Sequence, residues 1–159
     1  YKTYQENSIF VSEEKTIDLY LCPSEELDAK HNFVKKYKNS VDAVLLSPPY
    51  FDLEIYPSDG QSFNNFPDYQ TWLKGYWEET VKLAVKVMKP NAKFGFVISN
   101  YINRQKQMVT ISEDMRDIVL KHMDLDKHYR VQWSAISGTR QAKKTRNGNY
   151  EDLWVFVKK

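Results

Sequence analysis

Ser47, Pro48, Pro49 and Tyr50 stand together directly after the apolar run VDAVLL. Their types suit one task. An exocyclic amine on adenine or cytosine is a poor nucleophile because its lone pair is delocalised into the ring. Two acceptors that take both N–H hydrogens draw the nitrogen toward tetrahedral geometry and make that pair available. The Ser47 hydroxyl and the Pro48 carbonyl are two such acceptors. Pro48 and Pro49 fix two φ angles, so the acceptors are held in place before the substrate arrives. Tyr50 adds a ring that can stack on a base rotated out of a duplex. A methyl donor approaching that nitrogen needs neither a metal nor a strong base. The plainer reading is a rigid turn after a strand, with Tyr50 in the core.

Residues of this kind need a frame. VDAVLL (41–46) is a short, nearly continuous apolar run, as expected of a strand covered on both faces. TIDLYLC (16–22) has strand composition and is halted by Pro23, after which Ser24 can cap a helix with Glu25 and Glu26 in its first turn. Asp68 caps the clearest helix, in which Tyr69, Trp72, Leu73, Tyr76, Trp77, Thr80, Val81, Ala84, Val87 and Met88 recur every three or four residues until Lys89-Pro90. KFGFVIS (93–99) is another buried strand, and Ser112 opens a helix to about His122. YRVQWSAIS (129–137) and EDLWVFVKK (151–159) form two final strands joined by a basic loop. The order β-α-β-loop-α-β-α-β-loop-β predicts an α/β fold: a mostly parallel, doubly wound sheet with an antiparallel C-terminal hairpin. In such sheets ligands bind beyond the carboxyl ends of the strands, where Ser47 to Tyr50 fall.

SPPY resembles the (Asp/Asn/Ser)-Pro-Pro-(Tyr/Phe) motif of the S-adenosylmethionine-dependent DNA amino-methyltransferases, the N6-adenine and N4-cytosine enzymes. The likeness extends through SPPYFDLEIYPSDGQS and YQTWLKGYWEETVKLAVKVMKPNAKFGFVISNY to the closing RQAKKTRNGNYEDLWVFVKK, and so covers roughly residues 16 to 159. It implies a Rossmann-like methyltransferase fold, S-adenosylmethionine as cofactor and DNA as partner. Ser47 and the Pro48 carbonyl would bind the target amine, Pro49 would hold the turn and Tyr50 would stack. Serine at the first position is commoner among N4-cytosine enzymes, without settling the base. Methylation of RNA or of a protein amide nitrogen follows the same Pro-Pro-Tyr logic. A non-catalytic nucleic-acid-binding module derived from the fold is the reading from another class.

The resemblance also places cofactor contacts at Cys22, Pro23, Ser24 and Glu25, the end of the family's third strand. For Ser24 and Glu25, helix capping is an equally good account. The family's glycine-rich turn, commonly Phe-x-Gly-x-Gly, has no counterpart, since the five glycines include no Gly-x-Gly. The fold is therefore expected to be partial and to lack the first two strands. Residues 1–159 are read as the target-amine part of the domain, dependent on a missing segment or a second chain that supplies the cofactor-binding part. Tyr56, Gln61 and Ser62 in the long loop are candidates for contact with the flipped base or its neighbours, as are Asn100 and Tyr101 at the next strand end. Arg140, Lys143, Lys144 and Arg146 lie in an acid-free loop suited to phosphates, and Arg104 and Lys106 add to it.

Composition sets the outer bounds. The 159 residues are 42% hydrophobic, enough for one core, and the net charge of +2 does not by itself mark a nucleic-acid binder. One cysteine rules out an internal disulfide and suits a reducing compartment. No apolar run approaches the roughly 18 residues of a membrane span, and the start lacks a signal-peptide pattern, so a cytoplasmic location is expected. His31, His122 and His128 are scattered without ligand spacing, and no metal is expected. A Ser-His-Asp hydrolase lacks its Gly-x-Ser-x-Gly elbow. Cys22 precedes its proline rather than following it, which argues against C5-cytosine methylation.

Overall fold

The computed structural model describes residues 16–53, 62–132 and 150–159. Two short helices, α1 (Leu27–His31) and α2 (Phe33–Tyr37), precede strand β1 (Val41–Leu46). A long helix follows, α3, running through Tyr69–Trp72, a wider π-type stretch Leu73–Glu78, and Glu79–Val87. Then come β2 (Met88–Ile98), a small hairpin of β3 (Tyr101–Ile102) and β4 (Met108–Val109), α4 (Ile111–Leu120), β5 (Asp124–Gln132) and β6 (Tyr150–Val157).

The main sheet has the order β1-β2-β6-β5. β1 and β2 are parallel, with Val44 opposite Phe94 and Leu46 opposite Phe96. β6 runs antiparallel to both β2 and β5. Three of the four strands therefore point one way, and the last two form the antiparallel hairpin expected from the sequence.

Pairing also sorts the side chains by face. Val44, Phe94 and Phe156 share one face with Leu46, Phe96 and Trp154. Against it packs the apolar stripe of α3, with Trp77 edge-on to Phe96 at 5.0 Å. The buried Trp77 indole donates to the Met115 carbonyl at 2.9 Å, which ties α4 into the same layer. On the opposite face lie Leu45, Val97, Leu153 and Val155, none of them in the buried core. At the β1 edge Leu45 keeps 74% of its surface exposed.

Several expectations are corrected. Residues 16–22 form no strand, and Leu19 and Leu21 are 75% and 102% exposed. A β-ladder needs a neighbour, and among the described residues no strand pairs with this segment; side chains hold it, with Asp18 bonded to Lys36 (2.8 Å) and to the Tyr37 hydroxyl. The helix expected after Ser24 breaks at Asn32, whose φ of 52° is left-handed. Ser24 makes no cap. Its hydroxyl bonds Thr80 instead, at 2.7 Å. Met88 starts β2 rather than ending α3. Ser112 is not the cap of α4 either, since the helix begins one residue earlier and its amide is bonded by Asn100. β5 starts at Asp124, five residues before the expected Tyr129, because its register follows β6 rather than apolar alternation; residues 133–137 lie outside the described residues. The β3–β4 hairpin has no expected counterpart.

Candidate functional site

β1 ends at Leu46 because neither Pro48 nor Pro49 can donate to a ladder. The four corner residues then separate by environment: Ser47 and Pro49 are exposed, Pro48 is buried, and Tyr50 is half-buried against the core. Ser47 is therefore open to solvent just beyond the carboxyl end of β1.

Beside the corner runs the end of β2. The Tyr50 hydroxyl lies 2.8 Å from Ser99 Oγ and accepts from the Ser99 amide at 3.3 Å. Two residues on, the Tyr101 hydroxyl donates to Asp52 Oδ1 at 2.6 Å. The two tyrosine rings meet edge to face, 5.4 Å apart. Burial, and then the Asp52 carboxylate, push the Tyr101 phenol well above the ordinary tyrosine range.

Asn100, between these residues, turns the other way. Its Oδ1 accepts the Ser112 amide at 2.9 Å and its Nδ2 donates to Glu113 at 2.7 Å, so it caps α4 from outside the helix. Behind it a polar chain enters the core. The Trp154 indole donates to Ser112 Oγ at 2.9 Å, which leaves that hydroxyl to donate to Asp152 at 3.0 Å. Asp152 also bonds His128 Nε2 at 2.7 Å, and the imidazole stacks on Trp154 at 3.7 Å.

Cys22 and Pro23 lead into the turn Ser24–Glu26, which packs against α3. Cys22 is a free, half-buried thiol. Pro23 precedes the short turn Ser24–Glu26, and its carbonyl accepts from the Glu26 amide at 3.1 Å. Thr80, which holds Ser24, also bonds the Tyr76 carbonyl. The Glu25 carboxyl is pushed above the usual carboxylate range, chiefly by burial, and its Oε2 is buried with no partner among the described residues. An acceptor of that kind suits an amino or hydroxyl donor from outside the chain.

Arg104 and Lys106 are exposed in the turn of the β3–β4 hairpin, which rises directly from Tyr101. Lys106 takes a left-handed φ of 63° and its amide donates to the Asn103 carbonyl at 3.0 Å. Ser62 opens a 3₁₀ turn, Ser62–Asn65. Tyr56, Gln61, Arg140, Lys143, Lys144 and Arg146 lie outside the described residues. The described residues on either side of the basic loop, Gln132 and Tyr150, pair with each other beyond Ile98 and Asp152, at the sheet end that carries Ser99. Ser99 and Asp52 are not among the residues that the sequence singles out. The only trace of their role is the shared two-residue spacing, Tyr50/Asp52 and Ser99/Tyr101.

No family model and no curated protein matches the chain. Solved structures do. A protein of Thermus thermophilus, provisionally named a DNA modification methylase and solved with S-adenosyl-L-methionine, aligns at a TM-score of 0.63 with 15% identity, covering 90% of this chain and 54% of that one. A selenomethionine form of the same protein gives a TM-score of 0.59 at 14% identity, covering 86% and 50%. This is a partial Rossmann-like methyltransferase fold. The chain spans about half the length of the structures it matches. The expected fold class therefore stands.

Proposed function

We propose that this chain carries the target-amine part of an S-adenosylmethionine-dependent methyltransferase acting on an exocyclic amine of DNA, cytosine N4 or adenine N6. One observation carries the reading: in a methyltransferase fold, the Ser-Pro-Pro-Tyr corner stands at the carboxyl end of β1 with Ser47 open to solvent and Tyr50 anchored from behind by Ser99. Ser47 Oγ and the Pro48 carbonyl accept the two amine hydrogens, Pro49 keeps the turn stiff, and the Tyr50 ring receives the base. Arg104 and Lys106, and the four cations of the acid-free stretch, Arg140, Lys143, Lys144 and Arg146, meet phosphates.

The orphaned Glu25 carboxylate oxygen fits the donor's amino or hydroxyl groups, with Cys22, Pro23 and Ser24 around it. When bound, S-adenosylmethionine supplies an electrophilic methyl carbon. The glycine-rich part that would hold the rest of the cofactor belongs, on this reading, to another segment or chain that pairs with the outer edge of β1. The exposure of Leu45, Leu19 and Leu21 supports that placement.

The test is methyl transfer from labelled donor to DNA, measured for the longest natural form of the protein and for Ser47→Ala combined with Tyr50→Ala. Transfer abolished in the variant, with DNA binding retained, upholds the reading. DNA binding without transfer in the unaltered protein would favour a non-catalytic binding module, the reading that the missing Gly-x-Gly supports.

A further inference from the structure

Backbone pairing between β1 and β2 ends at Leu46 opposite Phe96. Beyond it the prolines supply no donors, yet the two chains stay in step. The tie passes to side chains: Tyr50 to Ser99 and Asp52 to Tyr101, each pair 49 residues apart in sequence. The offset nearly repeats that of the strands below, where Leu46 meets Phe96. Each bond has one buried partner, Ser99 at 8% and Tyr101 at 1% exposed, and one half-buried partner, Tyr50 or Asp52. Bonds in such surroundings are strong and costly to break one partner at a time.

We propose that Ser99 and Tyr101 are positioning residues: through Tyr50 and Asp52 they fix the orientation of the Pro-Pro corner and of the tyrosine ring that meets the substrate. The inference rests on the target-amine reading for its functional consequence, but the tie itself is testable without it. Ser99 acts at the far end of the Tyr50 phenol and Tyr101 acts through Asp52. Neither residue touches the amine. Each removes one rotation from the corner, so that Ser47 Oγ and the Pro48 carbonyl stay at a constant separation and angle.

Tyr101→Phe deletes the hydroxyl bonded to Asp52; Ser99→Ala deletes the closer of the two bonds to Tyr50 and leaves the Ser99 amide donating at 3.3 Å, and Ser99→Thr restores the hydroxyl. Hydrogen exchange by mass spectrometry should show the peptide spanning Tyr50 to Leu53 exchanging roughly fivefold faster in both deletions, with β2 and β6 unchanged and with Ser99→Thr near the unaltered protein. In methyl transfer the same deletions should lower kcat by about 10- to 100-fold while KM for DNA stays constant. Unaltered exchange at Tyr50 to Leu53, or faster exchange spread evenly over β1 and β2, would overturn the proposal. A raised KM at constant kcat would do so too, because it marks a direct substrate contact. If the unaltered protein transfers no methyl group, the functional reading falls and the exchange result alone decides the tie.

Discussion

Ser47 separates chemistry from folding. It is exposed and follows the last residue of β1, so removing its hydroxyl leaves the core alone. Ser47→Ala is expected to reduce methyl transfer by about 100-fold, the usual effect of losing one positioned polar group, with an unchanged melting curve. An equal loss of stability and activity would show that Ser47 serves only the turn. Glu25 gives the opposite separation. Burial raises its pKa in the folded chain, so over that window the folded state holds more protons and stability falls as pH rises. Glu25→Gln should therefore stabilise the chain at neutral pH by less than about 1 kcal/mol, as the residue is partly open to water. The gain should vanish near about pH 3, where both states are protonated. Thermal melts across that range check the sign. Arg104 and Lys106 predict a third outcome: replacing both with Gln should reduce the salt slope of DNA binding by about 1 to 2. Of these residues Ser47 is legible in the sequence because two prolines and a tyrosine frame it. Ser99 and Asp52 are not, since a serine at a strand end and an aspartate in a loop look like any others until the strands pair.

Among the elements, α3 depends on a close approach that its sequence conceals. A Cβ added at Gly75 would lie 2.2 Å from Phe66 Cε1, inside the ring's contact distance. Phe66 is packed against the core where the chain returns to the helix. Gly75→Ala gains roughly 1 kcal/mol of helix propensity but forces that ring aside. Overpacking typically costs about 1–3 kcal/mol, so a net loss is expected in denaturant unfolding. Gly75→Ala with Phe66→Leu should lose less than the two single changes summed. How far the elements can be read follows from what fixes each one. β1 is legible to the residue because an unbroken apolar run meets prolines. The start of α3 is legible because Asp68 accepts the Thr71 amide in a capping box. Residues 16–22 have the composition of a strand and, among the described residues, no partner to make one. The β3–β4 hairpin has two-residue strands, too short for any periodicity to show. The cap of α4 comes from Asn100, outside the helix, where local patterns cannot locate it.

At the scale of the whole molecule the sheet is unequal on its two sides. One face is covered by α3 and α4, while on the other Leu45 stays open, beside half-buried Val97, Leu153 and Val155, at an edge with no partner strand among the described residues. Exposed apolar edges invite pairing with other chains. Leu45→Lys is therefore expected to lower self-association of the isolated chain, read by analytical ultracentrifugation, and to weaken pairing with any segment that completes the sheet. Unchanged association would place the contact elsewhere.

The side-chain ties between the corner and the end of β2 also bear on the order of events in folding. Hairpins and helices close locally and early, but Tyr50 and Ser99 meet only after the intervening chain has formed α3 and laid β2 beside β1. The amine-gripping corner should consequently be among the last features to mature in a nascent chain. It should also be among the first to dissolve under mild denaturant, so that activity disappears while helical content persists.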